Sequence, residues 1–294
     1  MEKVDSSISK VYFVPLVDSA KLVDLYKAVG LSLPGKVAVK IHSGEHDREF
    51  NLQPDFIKPL LDYVKGTIVE CNTAYPGRRD TSEKHWKLLQ EHKYPTVAKC
   101  DILDEFGQME LPVPNGKQIK KNFVGKNLAN YDSILMLSHF KGHGMGGFGG
   151  AMKNTSIGLG SSYGKKYIHG AGIPEHMATC EQDKFLEAMA DAVKSVVEYR
   201  KNKIMFINVM KDMSIDCDCH YFPATPEFAN IGMLASIDPV ALDQACVDLV
   251  YSCEDVKGTR TLRQRMEDLH AIHILETGVE LGIGTRKYEL IKLK

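Results

Sequence analysis

Short apolar segments alternate with amphipathic segments of helical period along most of this chain, and this alternation limits the folds open to it. KVAVKIH (36–42) precedes a helical pattern over 54–65. TIVECN (67–72) precedes a second helical pattern over 82–92. A strand followed by a helix is the building unit of a parallel sheet that carries helices on its faces. The sequence therefore predicts an α/β fold with a mostly parallel, doubly wound sheet.

The same periodicity predicts elements in the rest of the chain. Strands are predicted over 11–17, 95–102, 203–210 and 231–236 and in the final YELIKL, and helices over 19–29, 182–200, 238–250 and 259–275. The segment LPVPNGKQIKKNFVG predicts a β-hairpin with Asn115-Gly116 as its tight turn. Residues 161–180 have no clear period and are a candidate lid. We expect one domain over 1–294, divided into two lobes of about 1–160 and 161–294 around a cleft.

The composition limits the partners and the compartment. The chain has 294 residues, of which 44% are apolar and 26% charged, as in ordinary globular proteins. Its net charge of −1 gives no reason to expect nucleic acid or an acidic membrane as a partner. No signal-peptide pattern occurs, and no apolar run approaches the ~20 residues of a spanning helix, so we expect a cytoplasmic protein. Seven scattered cysteines indicate reduced thiols rather than a disulfide framework.

Residues 132–154, DSILMLSHFKGHGMGGFGGAMKN, join a buried-strand pattern to a glycine-rich stretch. Glycine suits a backbone that approaches a ligand closely, and a helix that begins after the stretch would direct free N–H groups at an anion. We therefore predict a functional site here. Its catalytic candidates are His139, Lys141 and His143, and its ligand- or cofactor-binding candidates are Gly144, Gly146, Gly147, Gly149, Gly150, Lys153 and Asn154. The alternative is a glycine turn that only packs a helix on the sheet.

Polar residues also follow two other predicted strands. His42 and Glu45 follow the strand over 36–42, and Cys71 and Asn72 end the strand over 67–72. The carboxyl ends of parallel strands meet at one edge of a sheet, so these tips can converge on one crevice. His42 is thus a further catalytic candidate, although a solvated turn with an incidental histidine would give the same pattern.

The stretch Asp216-Cys217-Asp218-Cys219-His220 places two thiols beside an imidazole. Thiolate and imidazole ligands suit zinc, iron or nickel, so Cys217, Cys219 and His220 are candidate metal ligands. A structural or hydrogen-bonding role for the cysteines is the alternative. The spacing does not match a ferredoxin cluster.

Five segments together resemble the successive signatures of one family. They are VAVKIHSGE, CNTAYPGRRD, LSHFKGHGMGGFGGAMKN, IDCDCH and IGMLASIDPVALDQACVDLV, and they resemble the domain-of-unknown-function family 362, whose members are often described as iron–sulfur proteins. Many members carry a ferredoxin-like insert after the histidine that corresponds to His169. This chain has only Cys180 there, so the resemblance does not extend to an iron–sulfur cluster. Cys71 also replaces an aspartate of the family pattern. The glycine-rich stretch is similar in pattern to the glycine–lysine loop of nickel-dependent lactate racemases.

These features favour an enzyme that binds a small anionic substrate or cofactor, of isomerase or oxidoreductase type and with assistance from a metal. The alternative is a metal- or cofactor-binding accessory protein without turnover. A pocket that joins His42, Cys71, His139 and the glycine-rich stretch would favour the enzyme. We also expect a homo-oligomer.

Overall fold

The computed structural model describes residues 8–45, 50–219, 225–226, 228–254 and 257–294. The strands are β1 (Ser9–Val14), β2 (Val37–Lys40), β3 (Thr67–Glu70), β4 (Cys100–Ile102), β5 (Gln108–Pro112), β6 (Lys121–Gly125), β7 (Ser133–His139), β8 (Lys141–His143), β9 (Gly147–Gly149), β10 (Ile204–Met210), β11 (Gly232–Ser236) and β12 (Tyr288–Lys292). The helices are α1 (Ser19–Val29), α2 (Pro54–Val64), α3 (Ser82–Glu91), α4 (Ala151–Lys153), α5 (Ser162–His169), α6 (Gln182–Tyr199), α7 (Pro239–Ser252), α8 (Lys257–Asp268) and α9 (His273–Glu280).

In the described part of the chain, eight strands form one sheet in the order β12-β1-β11-β10-β7-β2-β3-β4. Only β11 runs antiparallel to its neighbours among these strands. The predicted α/β fold with a mostly parallel sheet is therefore confirmed. Strands from both sides of residue 160 share this sheet, and the division into two lobes stays a prediction.

Alternate residues of the central strand β7 face two hydrophobic cores on opposite faces of the sheet. Ile134 and Met136 pack in the core that contains residues of α6 and α7. Leu135 and Leu137 pack in the core that contains residues of α1 and α2. A strand covered on both faces reads as a continuous apolar run, which explains the pattern seen in the sequence.

Local sequence signals set several helix ends. The Asp18 side chain accepts a hydrogen bond from the Ala20 N–H at the start of α1, which ends at Gly30 with φ 76°. The Asp238 side chain accepts from two N–H groups at the start of α7, whose first residue is Pro239. Both are standard capping arrangements.

Three predicted elements differ from the structure. Of the strand predicted over 95–102, only Cys100–Ile102 (β4) is present, and Tyr94–Thr96 form a short 3₁₀ helix. The hairpin β5–β6 is present, but residues 113–120 form its wide connection instead of a tight turn at Asn115-Gly116. The Asp191 carboxylate of α6 holds this connection by accepting three backbone hydrogen bonds. The helix predicted over 259–275 ends at Asp268, and α9 begins at His273. His270 has φ 48° between them, so a continuous helix is impossible there.

Among the described helices, none combines the length and the apolar composition that a membrane crossing requires. The cytoplasmic location and the homo-oligomer expected from the sequence stay predictions.

Candidate functional site

A cavity of about 280 Å³ lies beyond the carboxyl ends of β2, β3 and β7. The ends of β2, β3 and β7 reach the cavity through His42, Glu70 and His139, together with the β8–β9 hairpin, α5 and the segment that contains Cys217 and Cys219. Glu45, Cys71 and Asn72, which the sequence also places at strand tips, are not among the described lining residues. The predicted site residues that line it are His42, His139, Lys141, His143, Gly144, Gly149, Gly150, Lys153, Asn154, Cys217 and Cys219. Gly146 and Gly147 are not among the described lining residues, and His220 lies outside the described part of the chain.

The cavity wall is rich in cations. Within the described residues, five cationic side chains line it, and they are Lys40, Arg79, Lys141, Lys153 and Lys165. All except Lys153 are buried. A buried charge is costly unless it is paired, so the partner of each cation decides what the cavity can bind.

Lys40 and Arg79 are paired with carboxylates. Lys40 Nζ lies 2.9 Å from Glu70 Oε2, and it also donates to Asn154 Oδ1 at 3.2 Å. Arg79 Nε lies 2.9 Å from Glu45 Oε1, and its Nη1 lies 3.5 Å from Glu70 Oε1. Burial alone would raise the pKa of Glu70, but the charges of Lys40 and Arg79 hold it well below its usual range. These residues form a charge-balanced part of the wall, and Asn154 belongs to it.

Lys141 and His139 share one carboxylate. Asp218 accepts a hydrogen bond from Lys141 Nζ, and the same oxygen lies 3.0 Å from His139 Nδ1. His139 Nε2 lies 2.5 Å from the carbonyl oxygen of Lys211. Both ring nitrogens thus face acceptors, and the lysine is paired. A ligand would have to displace Asp218 before Lys141 or His139 could act as the sequence predicts.

Cys217, Cys219 and His42 form a second cluster in the wall. One ring nitrogen and the two Sγ atoms lie within 4.8 Å of one another. Lys153 Nζ donates to Cys217 Sγ at 3.4 Å, and the backbone N–H of Cys219 donates to the same sulfur at 3.4 Å. A hydrogen bond from the Cys219 side chain lowers the pKa of Cys217; burial opposes the shift, and the charge of Lys153 adds to it. These contacts favour the thiolate form of Cys217.

Cys219 keeps its proton in this arrangement. The hydrogen bond that it donates to Cys217 raises the pKa of the Cys219 thiol, and burial raises it further. The pair thus holds one negative charge, which the ammonium of Lys153 balances. In turn, although burial opposes the shift, the charge of Cys217 raises the pKa of Lys153.

His42 is a neutral imidazole, because burial and the charge of Arg79 lower its pKa. Its Nδ1 accepts a hydrogen bond from the Gly44 N–H at 3.0 Å, and its Nε2 lies 3.5 Å from Arg79 Nη2. A neutral imidazole beside thiol groups is the donor set of zinc, iron and nickel sites. A metal bound by one ring nitrogen of His42 would leave the proton on the other ring nitrogen.

His143 is held as a neutral hydrogen-bond donor. Its Nδ1 accepts from the N–H groups of Met145 and Gly146 at 3.2 and 2.9 Å. Burial and the charge of Lys153 hold the pKa of His143 well below its usual value. The proton is therefore on Nε2, and the ring is a donor rather than a base in this state.

The glycine-rich stretch forms a hairpin, because β8 pairs with β9. A Cβ added to Gly142 would lie 2.1 Å from the Ile215 oxygen, so glycine lets the segment before Cys217 pack on β8. Gly147 has φ 76°, and a Cβ added there would lie 2.3 Å from the Cβ of Ala271. Gly142 and Gly147 thus allow close packing, which is the role that the alternative interpretation gave to the glycine-rich stretch.

The helix predicted after Gly150 is present as α4, and a π-helical turn over Asn154–Gly158 continues it. Its first N–H groups, those of Ala151 and Met152, donate to the Asp243 carboxylate at 2.8 Å each. A Cβ added to Gly150 would lie 2.4 Å from Asp243 Oδ1. The anion predicted at this helix start is therefore the side chain of Asp243, from α7.

Two cavity residues on α5 were not selected from the sequence. Lys165 and His169 lie one helical turn apart, and both are buried. Lys165 Nζ donates to the Gly160 oxygen at 2.6 Å, and His169 Nδ1 lies 2.7 Å from the Lys165 oxygen. Their four-residue spacing was the available signal, but the segment lacks the apolar period by which we recognise helices.

Cys71 belongs to the core and not to the cavity. Its Sγ donates to the Leu159 oxygen at 3.4 Å, and burial raises its pKa. It is not among the described lining residues, whereas His42, His139 and part of the glycine-rich stretch are.

The sequence matches the profile of the family described as "Domain of unknown function (DUF362)" over residues 37–248. The chain belongs to this family. The resemblance seen in the five sequence segments is thus confirmed. No curated protein sequence shows significant similarity to the chain.

Solved structures give weak matches. The chain is similar to the lactate racemase apoprotein from Thermoanaerobacterium thermosaccharolyticum, with 14% identity, a TM-score of 0.42 and coverage of 73% of this chain and 53% of that chain. It is also similar to a protein from Thermotoga maritima, with 13% identity, a TM-score of 0.43 and coverage of 89% of this chain and 57% of that chain. The DUF362 chain spans little more than half the length of either structure, and similarities of this degree do not bear on function.

Proposed function

We propose that this DUF362 protein is an enzyme that binds a small anionic ligand next to a transition metal held by His42, Cys217 and Cys219. One observation carries the proposal. Three soft or borderline donor atoms lie within 4.8 Å of one another in the wall of a cavity lined by buried cations. Zinc, iron and nickel accept such ligands, and a fourth position would be left for the substrate or water.

The surroundings of the thiols support a metal over a purely structural role. Metals bind thiolates, and the contacts of Cys217 lower its pKa and so favour that form. Lys153, which donates to Cys217 Sγ at 3.4 Å, would remain as an outer hydrogen-bond donor to the bound thiolate. Cys219 would lose its proton on binding, so metal uptake should release protons.

The cavity supports an enzyme over an accessory protein. A protein that only stores or delivers a metal needs the ligands, but it does not need a wall with five cations and additional histidines around a space of about 280 Å³. A space of this size suits a small organic ion. Such a ligand would lie beside the metal, where its charge can be stabilised as a reaction proceeds.

Elemental analysis of anaerobically purified, tag-free protein tests the metal centre. We expect about one equivalent of zinc, iron or nickel per chain, and we expect Cys217→Ser with Cys219→Ser, or His42→Ala, to lose it. Cys180→Ser is the matched control, because this half-buried thiol lies outside the proposed ligands. Unchanged metal content in the double cysteine variant would remove these residues from the site.

The same protein preparation can distinguish an enzyme from a metal-binding accessory protein. The metal-loaded protein is screened for binding and turnover of carboxylated and phosphorylated small molecules. Binding of a small anion that depends on cavity residues favours the enzyme. A tightly held metal with no small-molecule ligand would instead favour the accessory protein considered in the sequence analysis.

A further inference from the structure

We propose that Lys165 and His169 bind the ligand itself, which is a small carboxylic acid with a hydrogen-bond donor near its carboxylate. Lys165 binds the carboxylate, and His169 Nε2 accepts the hydrogen bond. This inference rests on the proposed function, because it concerns the same cavity, and it assigns the ligand to residues other than the metal ligands.

Lys165 differs from the other buried cations of the wall in its partners. Among the described residues, no carboxylate lies within salt-bridge distance of its Nζ, whereas Lys40, Arg79 and Lys141 each have one. Its one protein acceptor is the neutral carbonyl oxygen of Gly160 within the described part of the chain. Lys165 is only 7% exposed. A charge buried in this way has a large cost that an anionic ligand would offset.

Asp104, one of the carboxylates whose charge acts on Lys165, is already engaged. Asp104 accepts hydrogen bonds from the backbone N–H groups of Asn72 and Ser162, each at 2.9 Å. It therefore fixes the start of α5 and does not pair with Lys165. Burial accordingly lowers the pKa of Lys165, although Asp104 and Cys71 oppose the shift.

His169 offers a lone pair to the cavity that it lines. Its Nδ1 donates to the Lys165 oxygen at 2.7 Å, which fixes the tautomer and leaves Nε2 as an acceptor. The ring stacks on Phe185, with the centroids 4.8 Å apart. Burial lowers its pKa to about 4, so the imidazole is neutral at neutral pH.

Both side chains are carried by a helix that is fixed in place. Ser161 Oγ accepts from the Gly164 N–H at 2.9 Å, and the Ser162 hydroxyl donates to the Thr73 oxygen at 2.8 Å. A Cβ added to Gly164 would lie 2.0 Å from the Phe123 oxygen, so α5 packs directly on β6. Rigid support of this kind is what a binding site requires.

The chemistry of the wall favours a carboxylate over a phosphate. A phosphate group is usually held by several N–H donors or cations. The amides at the start of α4 are occupied by Asp243, and Lys153 is engaged with the Cys217 sulfur. Lys165 thus offers one ammonium group, which matches the single charge of a carboxylate.

Calorimetric titration with propionate, 3-hydroxypropionate and inorganic phosphate tests the assignment. Lys165→Met should weaken binding of both carboxylates at least about 10-fold, as expected for the loss of a charge-assisted hydrogen bond. His169→Phe should leave propionate binding unchanged and remove the preference for 3-hydroxypropionate, because the phenyl ring has no hydrogen-bond acceptor. The matched controls are Lys166→Met and His176→Phe, because both residues are exposed and lie close to the pair in sequence; they should bind like the wild type.

Several results would overturn the assignment. These are no carboxylate binding by the wild-type protein at millimolar concentrations, equal affinity of Lys165→Met and Lys166→Met, and phosphate binding that depends on Lys165 more than carboxylate binding does. Thermal unfolding of ligand-free Lys165→Met gives a separate readout. If Lys165 serves the ligand, its removal should not lower the melting temperature, whereas a structural role predicts a clear decrease.

The carboxylate titration is repeated in the variant with Cys217→Ser and Cys219→Ser, so that ligand binding is measured separately from the proposed metal centre. Absence of metal in the wild type together with Lys165-dependent carboxylate binding would overturn the metal centre and keep this inference. A bound metal together with binding indifferent to Lys165 would overturn this inference alone.

Discussion

At the residue scale, the partner of each cation in the cavity wall decides which cations can bind an anionic ligand, and the number of cations does not. The sequence predicts Lys141 as a catalytic residue, but the side chain is 4% exposed and its Nζ donates to Asp218. Lys165 is also buried, but its Nζ donates to a neutral group, the carbonyl oxygen of Gly160. Residue type and spacing cannot distinguish these two lysines, because the partner of each lies far away in the sequence.

Lys141→Met should therefore destabilise the protein rather than only weaken ligand binding. Removing one partner of a buried ion pair leaves an unpaired charge, with a cost of about 3–5 kcal/mol. Adding Asp218→Asn to the same chain should recover part of this loss, since both charges are then gone. Urea unfolding of the two single variants and the double variant measures the coupling. Additive losses would show that the two side chains do not depend on each other.

At the element scale, the sequence predicts the first residues of the helices more reliably than the groups that accept hydrogen bonds from their first N–H groups. The start of α7 at Asp238-Pro239 follows from local capping signals, and so does the start of α1. The helix start after Gly150 was also predicted, but its amides bind Asp243 of α7, about 90 residues away in the sequence. Local patterns do not encode such long-range contacts. The wide β5–β6 connection, held by Asp191, differs from its predicted tight turn for the same reason.

The contact between α4 and α7 should give the stability a distinctive pH dependence. Burial raises the pKa of Asp243 to about 6, from an ordinary value of 3.8. A raised pKa means that the folded state binds the proton more tightly, so this contribution is present at low pH and is lost as the pH rises through about 6. The full effect is about 3 kcal/mol.

Urea unfolding of the wild type and Asp243→Asn between pH 4.5 and 7.5 measures this effect as the difference between the two pH profiles. The difference is needed because buried histidines with a lowered pKa, such as His143 and His169, add stability that rises with pH over the same range. Asp243→Asn should lack this fall, so its stability relative to the wild type should increase as the pH rises, whereas Asp248→Asn on the same helix should keep the wild-type profile. An identical pH profile for the wild type and Asp243→Asn would show that this carboxyl group does not titrate in that range.

At the scale of the whole molecule, the convergence of strand tips was predictable because it depends on topology alone. Parallel strands carry their carboxyl ends to one edge, and the ends of β2 and β7 accordingly bring His42 and His139 to one cavity. The position of α5 was not predictable. Its contacts with Asp104 and β6 depend on tertiary packing, and these contacts decide that Lys165 and His169 join the cavity.

The proposed metal centre would connect segments that are distant in the sequence, so metal binding should stabilise the whole fold. His42 follows β2, whereas Cys217 and Cys219 follow β10, and Gly142 packs their segment on β8. A ligand that binds only the folded state adds about 2.7 kcal/mol at a free concentration of about 100 Kd.

Differential scanning calorimetry of apoprotein with added zinc, iron or nickel should show a rise in melting temperature for the wild type and for Cys180→Ser. The variant with Cys217→Ser and Cys219→Ser should show no rise, because it lacks both sulfur ligands. An equal rise in that variant would place the stabilising metal elsewhere on the molecule. A metal that stabilises the wild type and Cys180→Ser, but not the double cysteine variant, would indicate that the strand tips and the Cys217 segment fold as one unit around it.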